Sequence, residues 1–440
     1  MNGIIPYEYI DKKITPWGGM RIIKEFYDRI GLYDKIRELP FHNVGSSIAV
    51  EHHEIIESFI MSVILGAGNC SGASQIGYDD VLKEIFQWEK GMPSQSTLSR
   101  FFPKYNHDES DSIFSELFTW WFDQLGNLNL TLDIDSTVIT RFGNQEGAEK
   151  GYNPKRPGRK SHHPIIAFVA ETKMIANAWM RTGDSASSTE FKEFLDNTFT
   201  MIPRSSIGLV RGDSGFSGNN VLNDLEQRDL NYIIAMPMKA GLVEAILNAN
   251  KWVASEKEGV DLCSFSYQSK GWGKFRRIVI VRKDIEKLPN CGGKTLFRHQ
   301  DDYLRYRYSA YVTNCDLSDE LVWVTYKHRA EAENQIKELK YDYGMEGFCF
   351  TNIHATEFAF RWVMMAYNLM SYVRNAIAVS KVKHTLSTLK FNCIAIGAYL
   401  VTSGRQKKLM LAVTGKRRDY IESLFEKINT FGAVEINSTA

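Results

Sequence analysis

Residues Leu130–Ile139 read LTLDIDSTVI, and the interpretation of the whole chain turns on this stretch. Apolar and polar residues alternate and β-branched side chains are dense, so the segment is expected to form a half-buried β-strand. Asp133 and Asp135, two residues apart, then share one face of that strand. Two later segments also offer a carboxylate. One is Val210-Arg211-Gly212-Asp213-Ser214-Gly215-Phe216, and the other is YKHRAEAENQIKELK, from Tyr326 to Lys340. Asp135, Asp213 and Glu333 make a spaced Asp, Asp, Glu trio, a ligand set able to hold two Mg²⁺ ions for phosphodiester chemistry. Small residues follow both aspartates and leave room for metal and phosphate. Asp133 competes with Asp135 for the first position, and an aspartate that merely ends a strand is the plain alternative for either.

Within the third segment, Tyr326, Arg329, Glu333 and Lys340 follow at intervals of three, four and seven residues. A single helix would set all four on one broad face. Arg329 and Lys340 could neutralise a phosphate beside Glu333, and Tyr326 could hydrogen-bond one. The competing interpretation is a solvated helix laced with weak ion pairs, because Glu331, Lys337 and Glu338 lie among them.

Outward from Leu130, the pattern predicts strands at Ile165–Glu171 and Ile175–Met180, then a helix over Ser188–Thr200. A strand at Ile207–Arg211, a helix over Asn219–Gln227 and a strand at Tyr232–Ala235 follow. Three strands, a helix, a strand, a helix and a strand is the order of a ribonuclease-H-like core, which brings Asp135 and Asp213 together. Residues 1–125 read as an all-helical domain, with helices at Met20–Ile30, Glu54–Leu65, Val81–Trp88 and Glu109–Leu125. Between them, Ser94 or Ser96 can cap a helix with Leu98 and Phe101 turned inward. That is either the recognition helix of a helix-turn-helix or an ordinary capped helix.

Residues 126–236 are expected to form the first part of the core, and 237–315 a β-rich insertion with strands at Asp261–Gln268, Phe275–Val281 and Tyr303–Thr313. Gly271, Gly273, Gly292 and Gly293 punctuate the insertion. Residues 316–395 would complete the core with helices at Ser318–Tyr341 and Ala355–Ile377, leaving 396–440 as a tail region. The expected class is therefore α/β.

Length and composition agree. A chain of 440 residues with 44% apolar and 12% aromatic content is globular and long enough for two or three domains. The net charge of +1 does not announce nucleic acid by itself, but basic residues cluster locally. Lys155, Arg156, Arg159 and Lys160 share one loop, Lys274, Arg276 and Arg277 one stretch, and Lys407, Lys408, Lys416, Arg417 and Arg418 lie near the end. The Gly143–Pro164 loop is either a DNA-backbone contact or a solvated hairpin. Trp272, between two glycines, could stack on an unpaired base or simply pack. The six cysteines show no Cys-x-x-Cys pair, and neither a signal segment nor a membrane span is visible, so a cytoplasmic, nucleoid-associated protein is expected.

The motifs resemble those of DDE transposases of bacterial insertion sequences, in the branch whose last motif is Tyr-x2-Arg-x3-Glu-x6-Lys. Tyr326, Arg329, Glu333 and Lys340 match that spacing without a gap. The run Gly151-Tyr152-Asn153-Pro154 through Ser161-His162-His163-Pro164 is similar to insertion-sequence family thirteen-eighty. The resemblance implies a ribonuclease-H-like core interrupted by an insertion, and cut-and-paste transposition. Asp135, Asp213 and Glu333 would hold two Mg²⁺ or Mn²⁺ ions. The partner would be double-stranded DNA, at the element's terminal inverted repeats and at the target, bound by a homodimer. Many members carry Asp-Arg at the second aspartate, whereas Asp213-Ser214-Gly215 stands here, so a basic contact beside the metal is missing or supplied elsewhere. A nuclease that cuts without joining, or a catalytically silent DNA-binding regulator, are the competing functions.

Overall fold

The computed structural model describes residues 5, 7–124, 129–284, 306–377 and 384–431. The chain divides into two compact units, Gly126–Ile336 and the pair Met1–Leu125 with Lys337–Thr439. The fold is mixed α/β with one large sheet. No helix among the described residues is long and apolar enough to cross a membrane.

The Gly126–Ile336 unit is organised on a nine-stranded sheet. Its strands are β1 (Leu130–Ser136), β2 (Ile165–Val169), β3 (Met174–Trp179), β4 (Ile207–Gly212), β5 (Tyr232–Ala235), β6 (Val253–Ala254), β7 (Val260–Tyr267), β8 (Arg276–Asp284) and β9 (Tyr306–Thr313). They lie in the order β6-β7-β8-β9-β5-β4-β1-β2-β3. β2 pairs antiparallel with both β1 and β3, while β4 pairs parallel with both β1 and β5. The parallel steps need crossovers, which the Phe191–Met201 and Asn219–Gln227 helices provide. Every residue of β2 is buried, the mark of a strand covered on both faces.

The strands of the expected β-rich insertion continue the same sheet. Pairing of Tyr311, Val312 and Thr313 with Ala235, Ile234 and Ile233 joins β9 to β5. An apolar cluster including Ile233, Val279, Val281, Tyr311, Val322 and Trp323 binds this extension to the Asp319–Lys327 helix. A helix at Ala240–Leu247 lies within the stretch expected as the β-rich insertion. The expected strand from Tyr303 is described from Tyr306, and Gly292 and Gly293 lie outside the described residues.

The other unit is helical, apart from a small sheet of Ile14–Thr15, Ala398–Ser403 and Gln406–Leu411. Its axis is the helix Ile353–Ile377, buried at every position from Ala355 to Val373. A helix apolar all round must be enclosed on all sides. Phe358 and Trp362 pack against Phe114, and Phe358 also stacks on Tyr105. Phe114 belongs to the helix His107–Asp123, which opens with an Asn106–Glu109 capping box. This helix therefore completes a core with residues 1–125, where the sequence suggested it would complete the ribonuclease-H-like core. The apolar face of Tyr420–Ile428 is likewise used within the chain, since Ile421, Leu424 and Ile428 are buried.

Candidate active site

Parallel pairing of β1 with β4 sets Ile134 beside Gly212, so the residues that follow, Asp135 and Asp213, emerge from adjoining strands. Asp135 is buried, and its Oδ1 accepts a hydrogen bond from the Ser136 amide at 2.8 Å. The Arg329 guanidinium lies 3.1 Å from its Oδ2. Asp213 is half-buried at the head of a short 3₁₀ turn and accepts the Gly215 amide at 2.9 Å through Oδ1. Gly215 is required by close approach: a Cβ there would meet Ser187 Oγ at 2.7 Å and Asp213 Oδ1 at 3.0 Å. Glu333 is exposed in the first turn of the Ala330–Tyr341 helix.

Burial dominates the charge state of Asp135. Burial pushes the Asp135 carboxyl up to about 6, Arg329 pulls it down, and the nearby charges of Asp213 and Glu333 push it up again. Among the described residues, Asp213 Oδ2 and the Glu333 carboxylate accept no hydrogen bond. Carboxylate oxygens are the donors that hard divalent cations take, but among the described residues the ligand atoms of Asp135, Asp213 and Glu333 do not all lie within 4.8 Å of one another.

Asp133 has a different task. Arg211 donates to both its oxygens, at 2.6 and 2.7 Å, and both side chains are buried. In register, Asp133 faces Arg211 across β1 and β4. A signal was present in the sequence: each residue stands two before its metal-ligand candidate, on the same strand face.

The third motif does not form a single helix. The Asp319–Lys327 helix ends one residue after Tyr326, Arg329 sits in the break, and the Ala330–Tyr341 helix carries Glu333 and Lys340. The cause is tertiary. Arg211 donates to the Thr325 carbonyl, the acceptor Arg329 would use in a continuous helix, and the Arg329 amide turns to Tyr326 O at 2.9 Å instead. Tyr326 stacks beside Tyr311 and donates its hydroxyl to Gly212 O at 3.3 Å, bracing the residue before Asp213. Burial raises that phenol to about 12, so it remains a donor. Arg329 is buried against Asp135 rather than presented to solvent, and Lys340 pairs with Glu346 at 2.9 Å.

Trp272 takes the packing alternative. It is 6% exposed, donates to Ser217 O at 3.2 Å, and lies beneath the Arg276 guanidinium, so its face is not open to a base. Nor are the neighbouring cations uncommitted: Lys274 and Arg276 pair with Glu226, and Arg277 with Asp319. The Gly143–Pro164 loop is different. Lys155, Arg156 and Arg159 are exposed and Lys160 half-exposed, and none has an ion-pair partner among the described residues. Tyr152 in this loop and Phe142 just before it are also exposed, and sequence reasoning had given neither a role.

The family model of the transposase DDE domain, group 1, matches residues 9–433. The chain belongs to the DDE transposases. It is an enzyme that acts on DNA, of a family that works with divalent metal ions. Among solved structures, this transposase is similar to a piggyBac transposase synaptic complex with hairpin DNA. The TM-score is 0.41 at 11% identity, covering 85% of this chain and 76% of that one. A search among curated proteins gives no match.

Proposed function

We propose that this transposase cuts DNA at the ends of a bacterial insertion sequence of family thirteen-eighty and joins the freed ends to target DNA. In this reading Asp135, Asp213 and Glu333 are the metal ligands. The observation that carries it is the pairing of Ile134 with Gly212, from which Asp135 and Asp213 follow on adjoining strands, with Arg329 3.1 Å from Asp135. Two divalent ions bound there would supply an activated water or DNA 3′-hydroxyl and a stabilised leaving oxygen.

The chain's own residues perform the positioning. Arg329 and the Ser136 amide fix the Asp135 carboxylate. The Asp213–Gly215 turn and the Tyr326 hydroxyl hold the second carboxylate's backbone. Arg329 also supplies a cation beside the site, where many family members carry an Asp-Arg pair. The unpaired cations of Lys155, Arg156, Arg159 and Lys160 would follow the DNA backbone. The order β3-β2-β1-β4-β5, with β2 antiparallel to its neighbours, supports reading the sheet as a ribonuclease-H-like core with β6–β9 added. A homodimer holding two ends is the assembly that excision of both ends requires.

The test is cleavage and strand transfer on DNA carrying the element's ends, with Mg²⁺ or Mn²⁺. Asp135→Ala, Asp213→Ala and Glu333→Ala should each abolish cleavage and leave end binding largely intact. Cleavage that survives in any of these folded variants removes that residue from the ligand set. Cutting without joining would make the protein a nuclease, and binding without cutting a silent regulator.

A further inference from the structure

The helical unit contains a second group of metal-ligand residues. His107 is the first residue of the helix His107–Asp123, and His354 and Glu357 lie in the opening turns of the helix Ile353–Ile377. The spacing of three residues puts His354 and Glu357 on one helix face. One ligand atom from each of the three lies within 4.8 Å of the others. His107 Nδ1 is 3.2 Å from Glu357 Oε2, and the rings of His107 and His354 are 5.9 Å apart at their centres.

We infer that His107, His354 and Glu357 form a zinc site that staples these two helices together. Two imidazole nitrogens and one carboxylate oxygen are a set suited to a borderline ion such as Zn²⁺, and poorly suited to Mg²⁺. A tetrahedral ion with bonds of about 2.0–2.1 Å separates its ligands by roughly 3.3 Å, close to the His107–Glu357 separation. Glu357 is buried, which fixes it as an anchor, while the His107 side chain is 43% exposed. Water reaches the site from the His107 side, where it can fill a fourth position.

Local charge has to permit a cation there. Two helix N-termini oppose it, and Asp108 and Glu109 in the first turn of the His107 helix counter them. The Arg361 guanidinium, the other cation in this corner, is paired with Asp111 at 2.6 Å. A bound ion would link segments that are distant in sequence, so its binding energy would add to the stability of the unit.

The experiment uses the full chain, stripped with chelator and titrated with ZnCl₂ by calorimetry, with Co²⁺ as an optical probe. The wild type should bind Zn²⁺ and melt at a higher temperature with it, and Co²⁺ should give the visible absorption of a tetrahedral complex. His107→Ala and His354→Ala should weaken Zn²⁺ binding at least about tenfold and abolish the absorption. Asp135→Ala should retain both, which separates this site from the carboxylate trio. The proposal is overturned if the wild type binds no Zn²⁺, if His107→Ala binds it as tightly, or if Asp135→Ala loses it. His107 is half-exposed, so its alanine variant decides the question even if His354→Ala does not fold.

Discussion

Asp133 receives two hydrogen bonds from a buried arginine, while Asp135 receives one guanidinium contact at 3.1 Å and the repulsion of two other acids. Removing one member of a buried ion pair leaves the other charge uncompensated, at a cost of about 3–5 kcal/mol. Asp133→Ala should therefore lose about that much stability in denaturant unfolding, yet retain Mg²⁺-dependent cleavage per folded molecule. A stable but inactive Asp133→Ala protein would return Asp133 to the ligand set. In the helical unit, Glu57 and His52 respond to pH in opposite directions. Burial holds the Glu57 carboxyl up at about 7 against the pull of the Trp88 indole that donates to it, and burial followed by Lys104 lowers His52 to about 4. Glu57 contributes stability below its unfolded pKa of 4.5, lost as pH rises through about 7. The His52 contribution is present above 6.5 and lost as pH falls through about 4. Glu57→Gln should gain on the wild type between pH 4.5 and 7, by on the order of 2–3 kcal/mol, and the gap should vanish in acid. Unfolding curves across that range check the sign.

The turn from Asp213 to Phe216 depends on the loop that carries Ser187. Because a Cβ at Gly215 would overlap Ser187, Gly215→Ala should displace the Asp213 carboxylate and slow cleavage on the order of tenfold to a hundredfold. Adding Ser187→Gly should recover most of that rate. No recovery would mean that the turn fails for another reason. At this scale the sequence was informative wherever a segment's own pattern decided its structure. Alternation revealed β1, and helical periodicity revealed Asn219–Gln227 to the residue. The adjacency of the strands that lead to Asp135 and Asp213 was equally legible, because the order of strands and helices implied it. The break at His328–Arg329 was not, since no glycine or proline marks it and its cause is an arginine from another strand. Trp272 was ambiguous for a similar reason. Its two flanking glycines suggest an exposed tip, and only the fold brings Arg276 and Ser217 against it.

At the scale of the molecule, the helical unit draws on both ends of the sequence, and the sheet unit is threaded between them. The axis helix Ile353–Ile377 packs against His52–Ile64 and His107–Asp123, so residues 1–125 lack the centre of their own core. A fragment of residues 1–125 should show no cooperative unfolding transition, while residues 1–125 joined by a short linker to 337–431 should show one. A cooperative 1–125 fragment would contradict this account. Mass measurement of the active DNA complex should find two chains and two ends, and an active complex of one chain and one end would rule out the dimer. The interleaving also has a consequence for how the protein is made. A ribosome releases the amino-terminal helices first, then the whole sheet, and only afterwards the helix those first segments need. Until residues 348–362 have been made, Phe59, Phe102 and Phe114 have no Phe348, Phe350 or Trp362 to cover them. The nascent chain must keep that apolar surface from other chains while the sheet forms, which makes the amino-terminal segment a natural client for a holding chaperone.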